Sequence, residues 1–173
     1  MTGPLKSSFP PVWREDARVL ILGSLPGERS LAEARYYAHP MNQFWRLIGS
    51  VLGVEMPTDY PARLQALRAA RVALWDVVAQ ARRLGSLDGA IREHRPNDLV
   101  LLIEHLPQLR AIGFNGGAAA RIGRRTLAAS AGHVLLDLPS SSPAFTRPID
   151  QKLAAWLQLR RFLDLGCSSA PLT

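Results

Sequence analysis

Cysteine is almost missing from this chain: Cys167 is the one thiol in 173 residues. A lone thiol forms no internal disulfide, and it cannot by itself hold a structural zinc ion or an iron–sulfur cluster, which take several thiolates. Lysine is scarce as well. Of 21 cationic side chains, all but Lys6 and Lys152 are arginine. No apolar run reaches the roughly 20 residues that span a bilayer, and the opening MTGPLKSSFPPVWRED has no apolar core of a secretory leader. Walker and GxGxxG patterns are absent, so no nucleotide cofactor is indicated. The four histidines show no metal-ligand spacing: His94 and His105 fall in surface-like segments, His133 opens an apolar run, and His39 precedes Pro40. These absences lead us to expect no cofactor, no metal or iron–sulfur cluster and no membrane partner, in a cytoplasmic protein.

What is present suits one domain spanning residues 1–173, with loose ends at about 1–13 and 166–173. Nearly half of the residues are apolar, enough for a substantial core, and the formal net charge is +7. A basic, arginine-rich surface points to an anionic polymer such as nucleic acid or to an acidic membrane surface, although a bias toward Arg, Ala and Leu gives the same total. Four short apolar runs read as buried strands: ARVLILG (17–23), RVALWDVV (71–78), LRAIGFN (109–115) and GHVLLDLP (132–139). Helical patterns lie between them. NQFWRLIGSVLG puts Phe44, Leu47, Ile48 and Val51 on one face and stops at Gly53. PARLQALRAAR opens at Pro61, NDLVLLIEHL at a cap on Asn97 or Asp98, and GGAAARIGRRTLAA follows the third strand. DQKLAAWLQLRRFLDLG carries a stripe of Trp156, Leu159 and Leu163. The alternation predicts an α/β fold, a three-layer α/β/α sandwich around a mainly parallel sheet.

In such a sheet ligands bind beyond the carboxyl ends of the strands. That rule selects four loops. GSLPG (Gly23, Ser24, Leu25, Pro26, Gly27) lets the backbone approach a ligand and offers N–H groups to an anion or carbonyl, or is a plain tight turn. Asp76, after Trp75, is placed to orient a water or substrate, or to cap the next turn. In FNGG, Asn115 has the donor and acceptor needed to read a base edge, or it caps the helix that follows. LPSSSPAFTR offers Ser140, Ser141 and Ser142, the small residues Pro143 and Ala144, Phe145 as an apolar wedge and Arg147 as a phosphate anchor, or is a surface loop.

The motifs GSLPG, YYAHPMNQFW (36–45), WDVV, GSLDGAI, RPNDL, FNG and LPSSSPA occur in the order found in the uracil-DNA glycosylase superfamily, across nearly the whole chain. Within it the sequence most resembles the hypoxanthine (deoxyinosine) DNA glycosylases. The mismatch-specific uracil-DNA glycosylases are similar around AHPxNxFW but usually carry Asn where this chain has Ser24. The resemblance implies a four-stranded parallel sheet between helices and a monofunctional enzyme of base-excision repair. It makes Asn42 the catalytic residue and Tyr37 the aromatic that stacks under a flipped base. It places Asn115 where relatives contact the base edge, and Ser140 to Arg147 where relatives fill the duplex gap and grip the strand; His39 and Asp76 complete the expected base-binding set. The expected partner is DNA containing a deaminated base, bound by a monomer.

An asparagine suffices for this chemistry. Cleavage of a deoxyribosyl N-glycosidic bond can pass through an oxocarbenium-like sugar, which needs only a weak nucleophile. A water held by an amide oxygen serves, and catalysis then comes from placement and electrostatics. Extruding the base costs a few kcal/mol, and stacking on Tyr37 returns about 1–3 kcal/mol. Three alternatives fit parts of the same pattern. One is a uracil or mismatch-specific enzyme of the same fold. Another is a non-catalytic nucleic-acid-binding domain. The third is a serine hydrolase using Ser24 with His39 or His133 and Asp137, for which nucleophile-elbow spacing is absent.

Overall fold

The computed structural model describes residues 3–128 and 132–165. Along the chain the strands are β1 (Leu5–Ser7), β2 (Val19–Gly23), β3 (Val72–Asp76), β4 (Val78–Arg82), β5 (Arg92–Pro96), β6 (Ala111–Asn115) and β7 (Val134–Leu138). The helices are α1 (Glu28–Glu33), α2 (Phe44–Leu52), α3 (Tyr60–Ala69), α4 (Leu99–Glu104), α5 (Gly117–Thr126) and α6 (Ile149–Trp156). The four apolar runs became the central sheet, parallel throughout, in the order β3-β2-β6-β7. Alternation along β2 explains why both faces are covered. Leu20 and Leu22 pack with Ile112, Phe114, Leu102 and Ala119 under α4 and α5. Val19 and Ile21 pack with Phe44, Leu47, Ile48, Leu67 and Trp156 under α2, α3 and α6. The outcome is the expected three-layer sandwich.

Helix ends follow local chemistry. The α2 helix stops at Gly53, whose φ of 71° is the left-handed cap that glycine adopts without strain. Asp59 caps α3 by accepting from Ala62 N. Of the two caps proposed for α4, Asp98 takes the role, accepting from Leu101 N. Asn97 instead donates Nδ2 to Asp76 O at 2.8 Å and to Ser8 Oγ at 3.0 Å. The last helix is shorter than its pattern suggested. It gives way after Trp156 to 3₁₀ turns over Leu157–Phe162, which the three-residue spacing of Trp156, Leu159 and Phe162 favours.

Two expectations need correction. The run 71–78 is not one strand: β3 ends at Asp76, and β4 leaves for a second, antiparallel sheet of order β1-β4-β5. That sheet had no apolar signature, since every residue of β5 is exposed. Nor is the front of the chain loose over the residues described. Val12 pairs with Leu74 in both directions at 2.8 Å, Ser8 N bonds Ala79 O at 2.9 Å, and Lys6 is buried. The physical reason is that two strands would otherwise leave a hydrogen-bonding side open: Val12 covers β3, an edge of the central sheet, and β1 covers β4. The tail 166–173, with Cys167, lies outside the described residues.

Candidate active site

The strand order places the topological switch between β2 and β6, so the crevice falls beyond Gly23 and Asn115. A cavity of about 300 Å³ opens there, lined by Gly23 to Ser30, Tyr36, Tyr37, His39, Asn42, Asp76, Ser86 to Asp88, Asn115 and Ser140 to Phe145. Its size is at the lower end of the range for small-ligand sites, about 300–1,000 Å³.

The loop Gly23–Gly27 is turned with its acceptors inward. Gly23 O and Ser24 O accept from Val77 N and Val78 N at 2.8 and 3.1 Å, and Gly27 O accepts from Leu31 N at 2.9 Å. The remaining two carbonyls are held by the fully buried Arg83. Its Nη1 donates to Leu25 O at 3.2 Å, its Nη2 to Pro26 O, and its Nε to Gly85 O at 3.0 Å. Every carbonyl of the loop is therefore engaged from behind. Among the described residues no acceptor meets the N–H groups of Ser24, Leu25 or Gly27. Backbone donors without partners beside a cavity form a receptor for an oxygen or nitrogen that carries negative charge.

Tyr37 sits opposite at φ 52°, an unusual conformation for a bulky residue. Two contacts hold it there. Its ring stacks on Phe44 at 3.9 Å between centroids and 15° between planes, and its Oη accepts from Asn115 Nδ2 at 3.1 Å. Burial, with Asp76 nearby, raises its phenol well above the ordinary range, so it stays protonated. Gly23 is required beneath: a methyl there would lie 2.6 Å from Asp76 Oδ1 and 2.9 Å from Tyr37 Oη.

Asn42 lies on the turn before α2. Its backbone N–H donates to His39 O, and its Oδ1 accepts from Phe44 N, both at 2.9 Å. One lone pair of Oδ1 and the whole Nδ2 group have no protein partner among the described residues. Gln43 N donates to Ser141 O at 3.0 Å, joining this turn to the serine loop. His39 is exposed at the rim, with Nδ1 accepting from Met41 N at 3.1 Å.

Asn115 is in the wall with most of its amide engaged. Its Nδ2 donates to Tyr37 Oη and to Ser141 Oγ (2.9 Å), and its Oδ1 accepts from Ser141 N at 2.9 Å. Both amide hydrogens clamp Tyr37 to the serine loop, which leaves one lone pair of Oδ1 for a base edge. Next to it Gly116, at φ 99°, lets Ser140 pack where a side chain would reach to 3.1 Å. Ser141 is buried, whereas Phe145 is exposed at the mouth. Arg147 does not line the cavity; its guanidinium lies 5.5 Å over the Phe145 ring, and Lys152 approaches the same ring at 5.1 Å while donating to Phe145 O at 2.8 Å. A neighbouring hollow of about 260 Å³ shares Tyr36, Tyr37, His39 and Asn42 with the first and adds Arg35, Arg46 and Arg63.

Two carboxyls face this donor-rich loop. Asp76, 3 % exposed, is pushed up to about 7 by burial, with Asp88 adding to the rise and Arg83 opposing it. Asp88 is also raised, mainly by burial, and accepts from Ser24 Oγ at 2.5 Å. Ser24 therefore pairs with a carboxyl and not with a histidine. Asp137 is on the surface, bonded to Arg124 at 2.9 Å, so no hydrolase triad is assembled. Arg83 has no role in the sequence reading, since an arginine among 19 carries no mark of burial; Ser86 and Asp88 fall in GSLDGAI, a motif of the resemblance to which no role was attached.

An α/β sandwich with a base-sized cleft at its switch point, an amide at the lip and a donor loop beneath describes a nucleobase-handling enzyme. The chain belongs to the uracil DNA glycosylase superfamily, whose profile matches residues 10–163. It is 36% identical over 154 residues to a hypoxanthine DNA glycosylase of Methanosarcina barkeri (strain Fusaro), covering 88% of this chain and 96% of that one. It is 38% identical over 153 residues to a protein of the same description from Methanosarcina acetivorans, with the same coverage. A solution NMR structure of a candidate uracil DNA glycosylase from Methanosarcina acetivorans superposes with a TM-score of 0.80 at 36% identity, covering 92% of this chain and 99% of that one. No helix of the described residues is long and apolar enough to cross a membrane.

Proposed function

We propose that this protein is a monofunctional DNA glycosylase that swings hypoxanthine, the base of deoxyinosine, out of DNA and hydrolyses its N-glycosidic bond, leaving an abasic site. One observation carries the reading. A single cavity holds an amide with spare hydrogen-bonding capacity, Asn42, and a loop with three N–H donors lacking acceptors, Ser24, Leu25 and Gly27. The first suits a water aligned on the anomeric carbon; the second suits the charge that builds on the departing purine. Tyr37, backed by Phe44, offers its ring to the extruded base. The two named relatives support hypoxanthine as the base. Phe145 at the mouth fills the space the base vacates, and Arg35, Arg46, Arg63 and Arg147 meet phosphates outside it. In this reading the enzyme works as a monomer on cytoplasmic, nucleoid DNA.

The test is a duplex oligonucleotide with one deoxyinosine. Incubation should release hypoxanthine and leave a site that alkali cuts. Parallel duplexes carrying uracil, xanthine and ethenoadenine separate this specificity from the uracil and mismatch-specific alternative. Tight binding with every base retained after long incubation in excess enzyme would instead favour a non-catalytic binding domain.

A further inference from the structure

Neither the amide chemistry nor the stacking explains Asp76. Its carboxyl lines the floor of the cavity, yet it is almost completely buried. Among the described residues neither oxygen has a hydrogen-bond partner: Oδ2 is sealed from solvent, whereas Oδ1 escapes that enclosure, so Oδ1 is the oxygen turned to the cavity, above Gly23 and beside Tyr37. The backbone around it is fixed, with Asp76 O bonded to Asn97 Nδ2 and the next residue's N–H to Gly23 O. A buried carboxylate with no donor is costly, whereas a buried carboxylic acid with an oxygen facing a ligand site is not.

We infer that Asp76 is the acid of the reaction: its neutral carboxyl donates a hydrogen bond, and then its proton, to the leaving purine. This rests on the glycosylase reading above. As the C1′–N9 bond breaks, its electron pair passes to the purine, and the Asp76 proton goes to a ring nitrogen bearing a lone pair, N3 or N7. Neutral hypoxanthine departs. The water at Asn42 forms the new C1′–O bond and yields a proton to solvent, and Asp76 recovers one from solvent. The neighbours of Asp76 fit the role. Asp88 on the adjoining 3₁₀ turn raises its proton affinity, and Arg83 beyond β4 moderates it. Tyr36 and Tyr37, from the turn after α1, remain neutral phenols. A negative charge on Asp76 would also repel the partial negative charge that builds on the purine before the proton arrives.

The experiment is single-turnover release of hypoxanthine from a deoxyinosine duplex between pH 5.5 and 9, for wild type, Asp76→Asn and Asp88→Asn. Wild type should lose about tenfold in rate per pH unit above its midpoint. Asp76→Asn, which keeps the shape and a donor but has no proton to give, should be slow at pH 6, on the order of 10²-fold, and flat across the range. Asp88→Asn, which removes a like charge, should keep the falling limb but move it to lower pH. A purely structural role for Asp76 would not produce a flat profile or move the limb through Asp88. Should Asp76→Asn fail to fold, the Asp88→Asn shift decides alone. An unchanged profile in both variants, or a wild-type rate that does not fall with pH, overturns the inference and leaves the glycosylase reading intact. No release by wild type at any pH overturns both.

Discussion

Replacing Arg83 by methionine tests how the Gly23–Gly27 loop is held. Methionine fills similar space but cannot donate. Leu25 O and Pro26 O would each lose the donor that Arg83 supplies, while Gly85 O would keep Lys6 Nζ at 2.6 Å. An unpaired buried carbonyl costs about 1–3 kcal/mol, so two cost roughly 2–6 kcal/mol. A chain of this length carries roughly 9–26 kcal/mol of stability at about 0.05–0.15 kcal/mol per residue, and the fold should survive. Urea unfolding should show a lower midpoint at an unchanged slope. The carbonyls would then be able to turn toward the cavity and the N–H groups away from it. Single-turnover base release should fall on the order of 10–100-fold, the range for losing one or two oriented donors, with binding to a lesion-free duplex preserved. Arg83→Lys should recover part of both effects, because a compact ammonium reaches one carbonyl where the planar fork reaches two. Arg83→Met with the wild-type unfolding midpoint and release rate would show that the loop holds its orientation without the guanidinium.

Asn42→Ala should lose base release by on the order of 10²-fold, measured in single turnover, while retaining affinity for a deoxyinosine duplex; it also removes the bond to Phe44 N, worth about 1 kcal/mol at a helix start. Asp76 should make the fold pH-sensitive. Its folded value of about 7 lies above the ordinary carboxyl value, so its contribution is complete below about pH 4 and is lost as pH rises to about 7. Between pH 5 and 8 wild type should therefore lose about 3 kcal/mol more than Asp76→Asn, seen as a gap of roughly 6–12 °C in the change of Tm; parallel curves would contradict the buried-acid assignment. Affinity for duplex DNA should fall linearly on a log–log salt plot, and Arg46→Ala should lower that slope by about 1, whereas an unchanged slope would put the strand elsewhere.

The central sheet was legible because its strands are continuous apolar runs, and the site because special residues cluster at their carboxyl ends. Asn42, Tyr37 and the Gly23–Gly27 loop, singled out through the resemblance of YYAHPMNQFW and GSLPG, all line the cavity. The antiparallel sheet was not legible, because β5 buries nothing and its sequence REHRP is that of a solvated loop. Arg83 was invisible for a related reason: its value is its burial behind two carbonyls of a loop nearly 60 positions upstream, Leu25 O and Pro26 O, and neighbouring letters do not encode that. Asn115 was located in the cavity wall, but its partners were not legible. Its amide meets Ser141 and Tyr37, which are 26 and 78 positions away, and only the folded chain reveals that both amide hydrogens are committed to them.

Arg83 is itself braced from the front of the molecule. Its N–H bonds Pro4 O at 3.1 Å, and Gly3 lies against it so closely that a methyl there would come 2.3 Å from its carbonyl carbon. Lys6 grips the same Gly85 carbonyl and reaches Glu28 in the first turn of α1. Residues some forty positions upstream of Asn42 thus form a buttress for the pocket's base. Trimming them, or wedging a purification tag against them, should blunt turnover even though no upstream atom comes near the sugar.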